Sequence, residues 1–129
     1  DKALLDRFTV IEMDLLTQEE EHGLLKYMFP TVEEKMLENV SNITSLTRAE
    51  ALTENPRISS GVSTRTSVEI AGLLFDGFSL LESADITIYP QYDSTGGVDS
   101  ERTFVKQIVQ KFISDGSEEE LFNEHDSDA

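Results

Sequence analysis

Apolar residues recur at intervals of three and four along most of the chain, a spacing that places them on one face of an α-helix. Helix start signals precede several of these stretches: a Ser or Thr followed three residues later by Glu, so that each side chain can bond the other's backbone N–H. Three segments have this form, and they begin at Thr17, Thr31 and Ser79. The pattern therefore predicts a mainly α-helical protein.

Turn residues divide the helical pattern into elements. Asn55-Pro56 ends one helix because the residue before a proline avoids helical geometry, and Gly77 suits the position just after a helix end. The predicted elements are a helix from Thr17 to about Met28, a helix from Thr31 that continues or breaks near Ser45, a loop over 58–62, a helix through Arg65 that ends at Asp76-Gly77, a short helix from Ser79 to near Tyr89-Pro90, a loop over 91–98 and a last helix capped by Asp99 or Ser100.

The two ends of the chain differ from this helical pattern. Residues 8–14 are rich in β-branched and apolar side chains and predict one short strand, and one strand cannot make a sheet. We therefore expect the chain to be part of a longer protein whose sheet lies elsewhere. Residues 115–129 contain seven acids and no Lys or Arg, which predicts a solvated, disordered tail.

The composition narrows the possible functions. The chain has 129 residues with 10 Lys and Arg against 26 Asp and Glu, a formal charge of −16. This charge opposes direct binding of nucleic acid or of an anionic membrane, since both require basic surface. The absence of cysteine excludes a disulfide, a Cys-ligated zinc site and a thiol nucleophile. Because the two histidines lie at opposite ends, we predict no metal site, and with no secretory signal we expect an intracellular protein.

Arg65 is the main candidate for chemistry. It lies in the first turn of a predicted helix, where free N–H groups and the helix dipole attract anions such as phosphate. The same dipole disfavours a positive charge at this position, which suggests that Arg65 has a functional role. The alternative is an ordinary surface arginine. The acidic runs at 19–21 and 118–120 are interpreted as solvated faces. Residues 72–77 have the glycine spacing of a phosphate-binding loop, but Phe78 stands where the required lysine would be.

Three segments and one further arginine together resemble the C-terminal half of an AAA+ ATPase of the MoxR-like, dynein-related and cobalt-chelatase-like group. Residues 3–8, Ala-Leu-Leu-Asp-Arg-Phe, resemble the end of the family's large domain. Residues 58–66, which contain Ser63-Thr64-Arg65, look like the sensor-2 motif at the start of a lid helix. Residues 76–84 are similar to the turn and helix that follow, and Arg48 matches a common lid arginine less specifically.

The resemblance implies a domain organisation and roles for two arginines. Residues 1–29 would end the AAA+ core, 30–114 would form the helical lid domain, and 115–129 would be the acidic tail. Arg7 would be the catalytic arginine finger, and Arg65 would bind nucleotide. The intact parent would use ATP and Mg²⁺, whereas this part alone lacks the phosphate-binding loop and is expected to hold neither and to be inactive.

The implied parent is a cytoplasmic, ring-forming ATPase, expected to be a homo-hexamer, that couples ATP hydrolysis to remodelling of a partner protein delivered directly or by an adaptor. No direct nucleic-acid or membrane partner is expected. The alternative is a free-standing acidic helical module for protein interaction, without enzymatic activity.

Overall fold

The computed structural model describes residues 16–113, and within that range the chain is mainly helical, as predicted. Its elements are α1 (Gln18–Met28), α2 (Glu34–Ala51), α3 (Thr64–Phe75), α4 (Leu80–Thr87), two 3₁₀ turns (Tyr89–Gln91 and Gly97–Asp99) and α5 (101–113). Of the helices in this range, none combines the length and the apolar character needed to cross a membrane. The predicted strand over 8–14, Arg7 and the segment 115–129 lie outside the described residues.

Two of the predicted capping boxes are confirmed, at the starts of α1 and α4. The Thr17 hydroxyl accepts the Glu20 N–H at 3.1 Å, and the Glu20 carboxylate accepts the Thr17 N–H at 3.0 Å. Ser79 and Glu82 form the same reciprocal pair at 3.1 and 3.0 Å. In each box the backbone hydrogen bond to the carboxylate holds the pKa of the Glu below its ordinary value. Both helix starts are therefore encoded locally.

The start of α2 is a correction. The helix begins at Glu34, three residues after the predicted cap at Thr31, and its first flanking residue makes no side-chain capping bond. Thr31 instead lies in a turn closed by a hydrogen bond from the Val32 N–H to the Phe29 carbonyl at 3.2 Å. Beyond this start, α2 continues through Ser45 without a break, which decides between the two alternatives that the pattern left open.

The end of α3 and the start of α5 follow the predicted signals, whereas α2 ends at Ala51, before Asn55-Pro56. After α3, Gly77 adopts φ +100°, a left-handed conformation that glycine reaches without strain. The Phe78 N–H bonds the Leu73 carbonyl at 3.0 Å, and the Gly77 N–H bonds the Leu74 carbonyl at 3.1 Å, the pair of bonds that defines a Schellman motif. At the start of α5, the hydroxyl of Ser100 accepts the Thr103 N–H at 3.1 Å, so Ser100 is the cap.

One core joins the described helices. Leu25 of α1 lies in the same buried cluster as side chains from the other four helices and from the loop over 58–62. On α3 the apolar face is only partly covered, because Ala71 and Leu74 are buried whereas Phe75 is 59% exposed. The inward positions towards the start of α3 are instead occupied by Thr64 and Ser67, which are fully buried. The interior is therefore polar near this helix start.

Candidate functional site

A buried ion pair between Glu21 and Arg48 lies at the centre of this polar interior. The Glu21 side chain is 1% exposed, and its two carboxylate oxygens lie 3.2 and 3.3 Å from the terminal nitrogens of Arg48. The prediction that residues 19–21 form a solvated face is therefore wrong for Glu21, although Glu19 and Glu20 are exposed. A carboxylate taken out of water needs a compensating partner, and Arg48 supplies it.

Hydroxyl groups of α3 complete the network. The Ser67 hydroxyl lies 2.8 Å from Glu21 Oε1 and 2.8 Å from the Thr64 carbonyl, two acceptors that share its one proton, and Arg48 Nη2 donates to Thr64 Oγ1 at 2.9 Å. We call Glu21, Arg48, Thr64 and Ser67 the polar clamp. Because its four members come from α1, α2 and α3, the clamp fixes the start of α3 relative to two other helices.

The loop before α3 is held against α2 at the same place. Arg48 Nε donates to the Val62 carbonyl at 3.0 Å, and the Val62 N–H donates to the hydroxyl of Thr47 at 2.9 Å. Gly61 allows this approach, since a Cβ atom there would lie 2.6 Å from the backbone N and Cα of Arg48. The predicted loop over 58–62 is therefore confirmed as a loop, and it is anchored by close backbone contact.

Arg65 lies at the second position of α3, immediately beyond the clamp. Ser63 caps the helix by accepting the Thr66 N–H at 3.1 Å, and Thr64 is buried. Arg65 is exposed, and its guanidinium has no hydrogen-bond or ion-pair partner among residues 16–113. The structure thus presents a solvent-facing cation at the positive end of a helix whose start is rigidly held. A phosphate or carboxylate is the kind of group that such a site attracts.

Of the two sequence-predicted site residues, only Arg65 lies within the described range, so the prediction that pairs it with Arg7 stays a prediction. Arg7 is outside that range. No group of three His, Asp or Glu side chains suited to hold a metal ion occurs in the described part of the chain.

The buried roles of Glu21 and Arg48 were not predicted from the sequence, although a signal was present. Glu21 precedes Leu25 by four residues, so it lies on the inward face of α1. Arg48 follows Val40 and Thr44 at the same spacing on α2. A charge of each sign on the inward face of two helices is the pattern that a buried pair leaves in a sequence.

No protein-family model, curated protein or solved structure matches the chain. The case for a function consequently depends on the chain's own residues and geometry.

Proposed function

We propose that this chain forms the helical lid region of a ring-forming AAA+ ATPase of the MoxR-like group, and that Arg65 contacts the phosphates of bound ATP. The observation that carries the proposal is the exposed guanidinium of Arg65 at the start of α3, directly after the Ser63 cap. The sensor-2-like sequence at residues 58–66 supports the same assignment independently of the geometry.

Two properties suit Arg65 to bind phosphate: its positive charge, and its position at a helix start that is held against two other helices. Phosphoryl transfer depends chiefly on cations and hydrogen-bond donors placed around the β- and γ-phosphates. An arginine remains protonated and can bind two phosphate oxygens at once, which a lysine cannot reproduce. Since the polar clamp connects the start of α3 to α1 and α2, a movement of these helices as a body would carry Arg65 with it. Nucleotide contact and lid orientation would then be coupled.

The other groups that ATP hydrolysis requires would come from outside the described residues of this chain. The phosphate-binding loop and the Mg²⁺ ligands belong to the large domain of the parent, and Arg7 would act on the nucleotide of a neighbouring subunit. The proposed assembly is a cytoplasmic homo-hexameric ring that remodels a partner protein. Alone, this chain would hydrolyse no ATP.

The first test of the proposal is the gene that encodes the chain. We expect the reading frame upstream of Asp1 to encode a strand followed by G-x-x-x-x-G-K-[ST], the loop that cradles ATP phosphates. An initiator methionine directly before Asp1 would contradict the proposal and would favour the acidic interaction module.

The second test uses the full gene product. We expect Arg65→Ala to weaken ATP binding and slow turnover while the thermal unfolding midpoint is unchanged, with Arg65→Lys recovering little. Lys35→Ala is the control, because Lys35 is exposed at the start of α2. Normal ATP affinity and turnover in Arg65→Ala would refute the role of Arg65.

The role of Arg7 is tested by mixing. An arginine supplied to a neighbour's nucleotide contributes about 10³–10⁵ in turnover in related phosphoryl-transfer systems. Arg7→Ala should therefore abolish most hydrolysis, and mixing it with a phosphate-loop variant should restore part of it. If the mixed sample shows no recovery, Arg7 does not act across a subunit interface.

A further inference from the structure

A groove lies between the C-terminal half of α2 and α5, and the proposed function does not use it. It encloses about 430 Å³ and is lined mainly by Leu46, Thr53, Arg57, Phe104, Ile108 and Lys111. We call it the α2–α5 groove. Leu46 is 44% exposed although it faces this cavity, so apolar surface is left uncovered there. A volume of this size is within the range of sites that bind a few side chains or a small ligand, about 300–1,000 Å³.

Two cations give the groove a charge opposite to that of the whole chain. The Arg57 guanidinium lies 4.6 Å from the centre of the Phe104 ring, and Lys111 lines the same cavity. Neither side chain forms an ion pair within residues 16–113. Glu50 is the single carboxylate in the lining, and it already accepts the backbone N–H of Arg57 at 3.0 Å. The groove therefore combines apolar surface with two cations available to an acidic occupant.

The chain itself contains a segment with the complementary chemistry. Residues 117–122 read Ser-Glu-Glu-Glu-Leu-Phe, three carboxylates followed by two large apolar side chains. Within 115–129, Leu121 and Phe122 are the only large apolar residues. We propose that the α2–α5 groove binds residues 117–122 of the same chain, in place of the fully solvated tail that the composition of 115–129 suggests. The Leu and Phe side chains would cover the apolar lining, and the glutamates would pair with Arg57 and Lys111.

The length of the connection permits this contact. Ile113 and Leu121 are eight residues apart, so the intervening chain can span at most about 3.3–3.6 Å per residue, roughly 28 Å. Along α5 the lining extends only from Phe104 to Lys111, about 10 Å at 1.5 Å per residue. Binding within one chain also benefits from an effective concentration of the order of millimolar, which offsets the repulsion expected from a net charge of −16.

This inference does not depend on the ATPase assignment, and it is tested on the full chain alone. The absence of cysteine allows one nitroxide to be attached at Asn123→Cys, next to the proposed contact. In an NMR spectrum we expect the amides of Leu46, Thr53 and Gln107 to lose intensity relative to the reduced, diamagnetic label. The amides of Tyr27 and Lys35, which lie on other faces, should keep theirs.

Charge reversal of the groove provides the matched comparison. Arg57→Glu combined with Lys111→Glu should abolish the loss of intensity at the groove, as should Leu121→Ser combined with Phe122→Ser. The control is Lys35→Glu with Lys106→Glu, which changes the net charge equally but leaves the groove intact. Added salt should weaken the effect because exposed charge pairs are screened. Circular dichroism of each variant shows whether the helices remain formed.

Three results would overturn the proposal. The first is a label at residue 123 that leaves all groove amides unaffected in the otherwise unsubstituted chain. The second is an intensity loss that the control pair removes as fully as the groove pair does. The third comes from mixing spin-labelled chains with unlabelled isotope-enriched ones. If the groove amides lose the same intensity in that mixture, the occupant is the segment of a second copy and binding within one chain is refuted.

Discussion

The interior between α1, α2 and α3 differs from the part of the core supplied by α4 and α5. In the first region, the Ser67 hydroxyl and the charged groups of the polar clamp bond from one helix to another, as Ser67 does with Glu21 at 2.8 Å, although the buried Thr44 hydroxyl donates within α2 at 3.0 Å. In α4, the buried hydroxyls of Ser83 and Thr87 donate to carbonyls four residues earlier in the same helix or its cap. The hydroxyls of α4 therefore leave the position of that helix to aliphatic packing, whereas those of α3 fix its start relative to other elements.

This difference predicts different tolerance to substitution. Aliphatic packing accepts changes that preserve volume, because many arrangements exclude water about equally well. A buried ion pair is different, since removal of one member leaves an uncompensated charge, whereas replacement of both members by apolar side chains is often nearly neutral. The polar clamp should accordingly be the more sensitive region to single substitutions and should recover when both charges are removed.

The largest effect is expected for Arg48→Met. Glu21 would remain buried without its cation, and the loss of a buried partner costs about 3–5 kcal/mol. Urea unfolding followed by circular dichroism measures this difference. The double variant Glu21→Met with Arg48→Met should be more stable than Arg48→Met alone. A double variant whose destabilisation equals or exceeds the sum of the single ones would contradict the account of the clamp.

A pair of threonines compares the two regions directly. Thr64→Val removes the acceptor for Arg48 Nη2, and hydrogen bonds to charged groups contribute about 1.5–3 kcal/mol. Thr87→Val removes a hydroxyl that donates only to a carbonyl of its own helix, so no buried group is left without a partner. We expect a smaller destabilisation for Thr87→Val than for Thr64→Val in the same urea assay. Equal losses of stability would mean that a hydrogen bond between two helices contributes no more than one within a helix.

Two glycines test the contact between the loop and α2. Gly61→Ala places a methyl group against the Arg48 backbone, and overpacking of this kind costs about 1–3 kcal/mol. Gly23 lies inside α1, and a Cβ atom added there would meet no atom within 4 Å, so Gly23→Ala should stabilise the chain by up to about 1 kcal/mol. If Gly61 lies this close to the Arg48 backbone, thermal unfolding should show a lowered midpoint for Gly61→Ala and a raised midpoint for Gly23→Ala.

The smallest effect concerns two buried tyrosines. The Tyr92 hydroxyl donates to the Ser60 carbonyl at 2.9 Å, whereas the buried Tyr89 hydroxyl has no partner in the described part of the chain. Tyr92→Phe should therefore cost about 0.5–1.5 kcal/mol, and Tyr89→Phe should cost nothing or stabilise slightly. Urea unfolding near neutral pH measures the stability of both variants. A greater loss of stability for Tyr89→Phe than for Tyr92→Phe would contradict this prediction.

The same tyrosines predict sensitivity to alkali. Burial raises the pKa of Tyr89 and of Tyr92 to about 12. The unfolded chain releases these protons at about pH 10 while the native chain retains them, so stability should fall as the pH rises from about 10 to 12. Below that interval the two phenols contribute no pH dependence. The variant with both tyrosines changed to Phe should show a shallower alkaline decline.

Local signals made much of the fold predictable. The capping boxes at Thr17 and Ser79 and the glycine after α3 satisfy backbone groups within a few residues of themselves, so the sequence alone carries the information. The predicted start of α2 was wrong because Thr31 also fits a turn after Pro30. Nothing within a few residues distinguishes that turn from a helix cap.

The candidate site was less predictable than the fold. The position of Arg65 at a helix start follows from local sequence, and the structure has it there. Glu21 acquires its role from Arg48 and Ser67, which are 27 and 46 residues away. A partner at such separation leaves only an indirect trace in one sequence, namely a charged residue on an otherwise apolar face.

The wide spacing of the polar clamp along the chain also has a kinetic consequence. The turn at Thr17 can form within α1 alone, but the Glu21–Ser67 contact requires closure of a long stretch of chain first, and such contacts tend to form late. We therefore expect loss of the clamp through Arg48→Met to accelerate unfolding much more than it slows refolding in stopped-flow measurements. A change confined to the refolding rate would instead place the clamp in the folding nucleus. If the clamp forms late, its breakage is an early event in unfolding, and the lifetime of the native chain depends on one buried pair of charges.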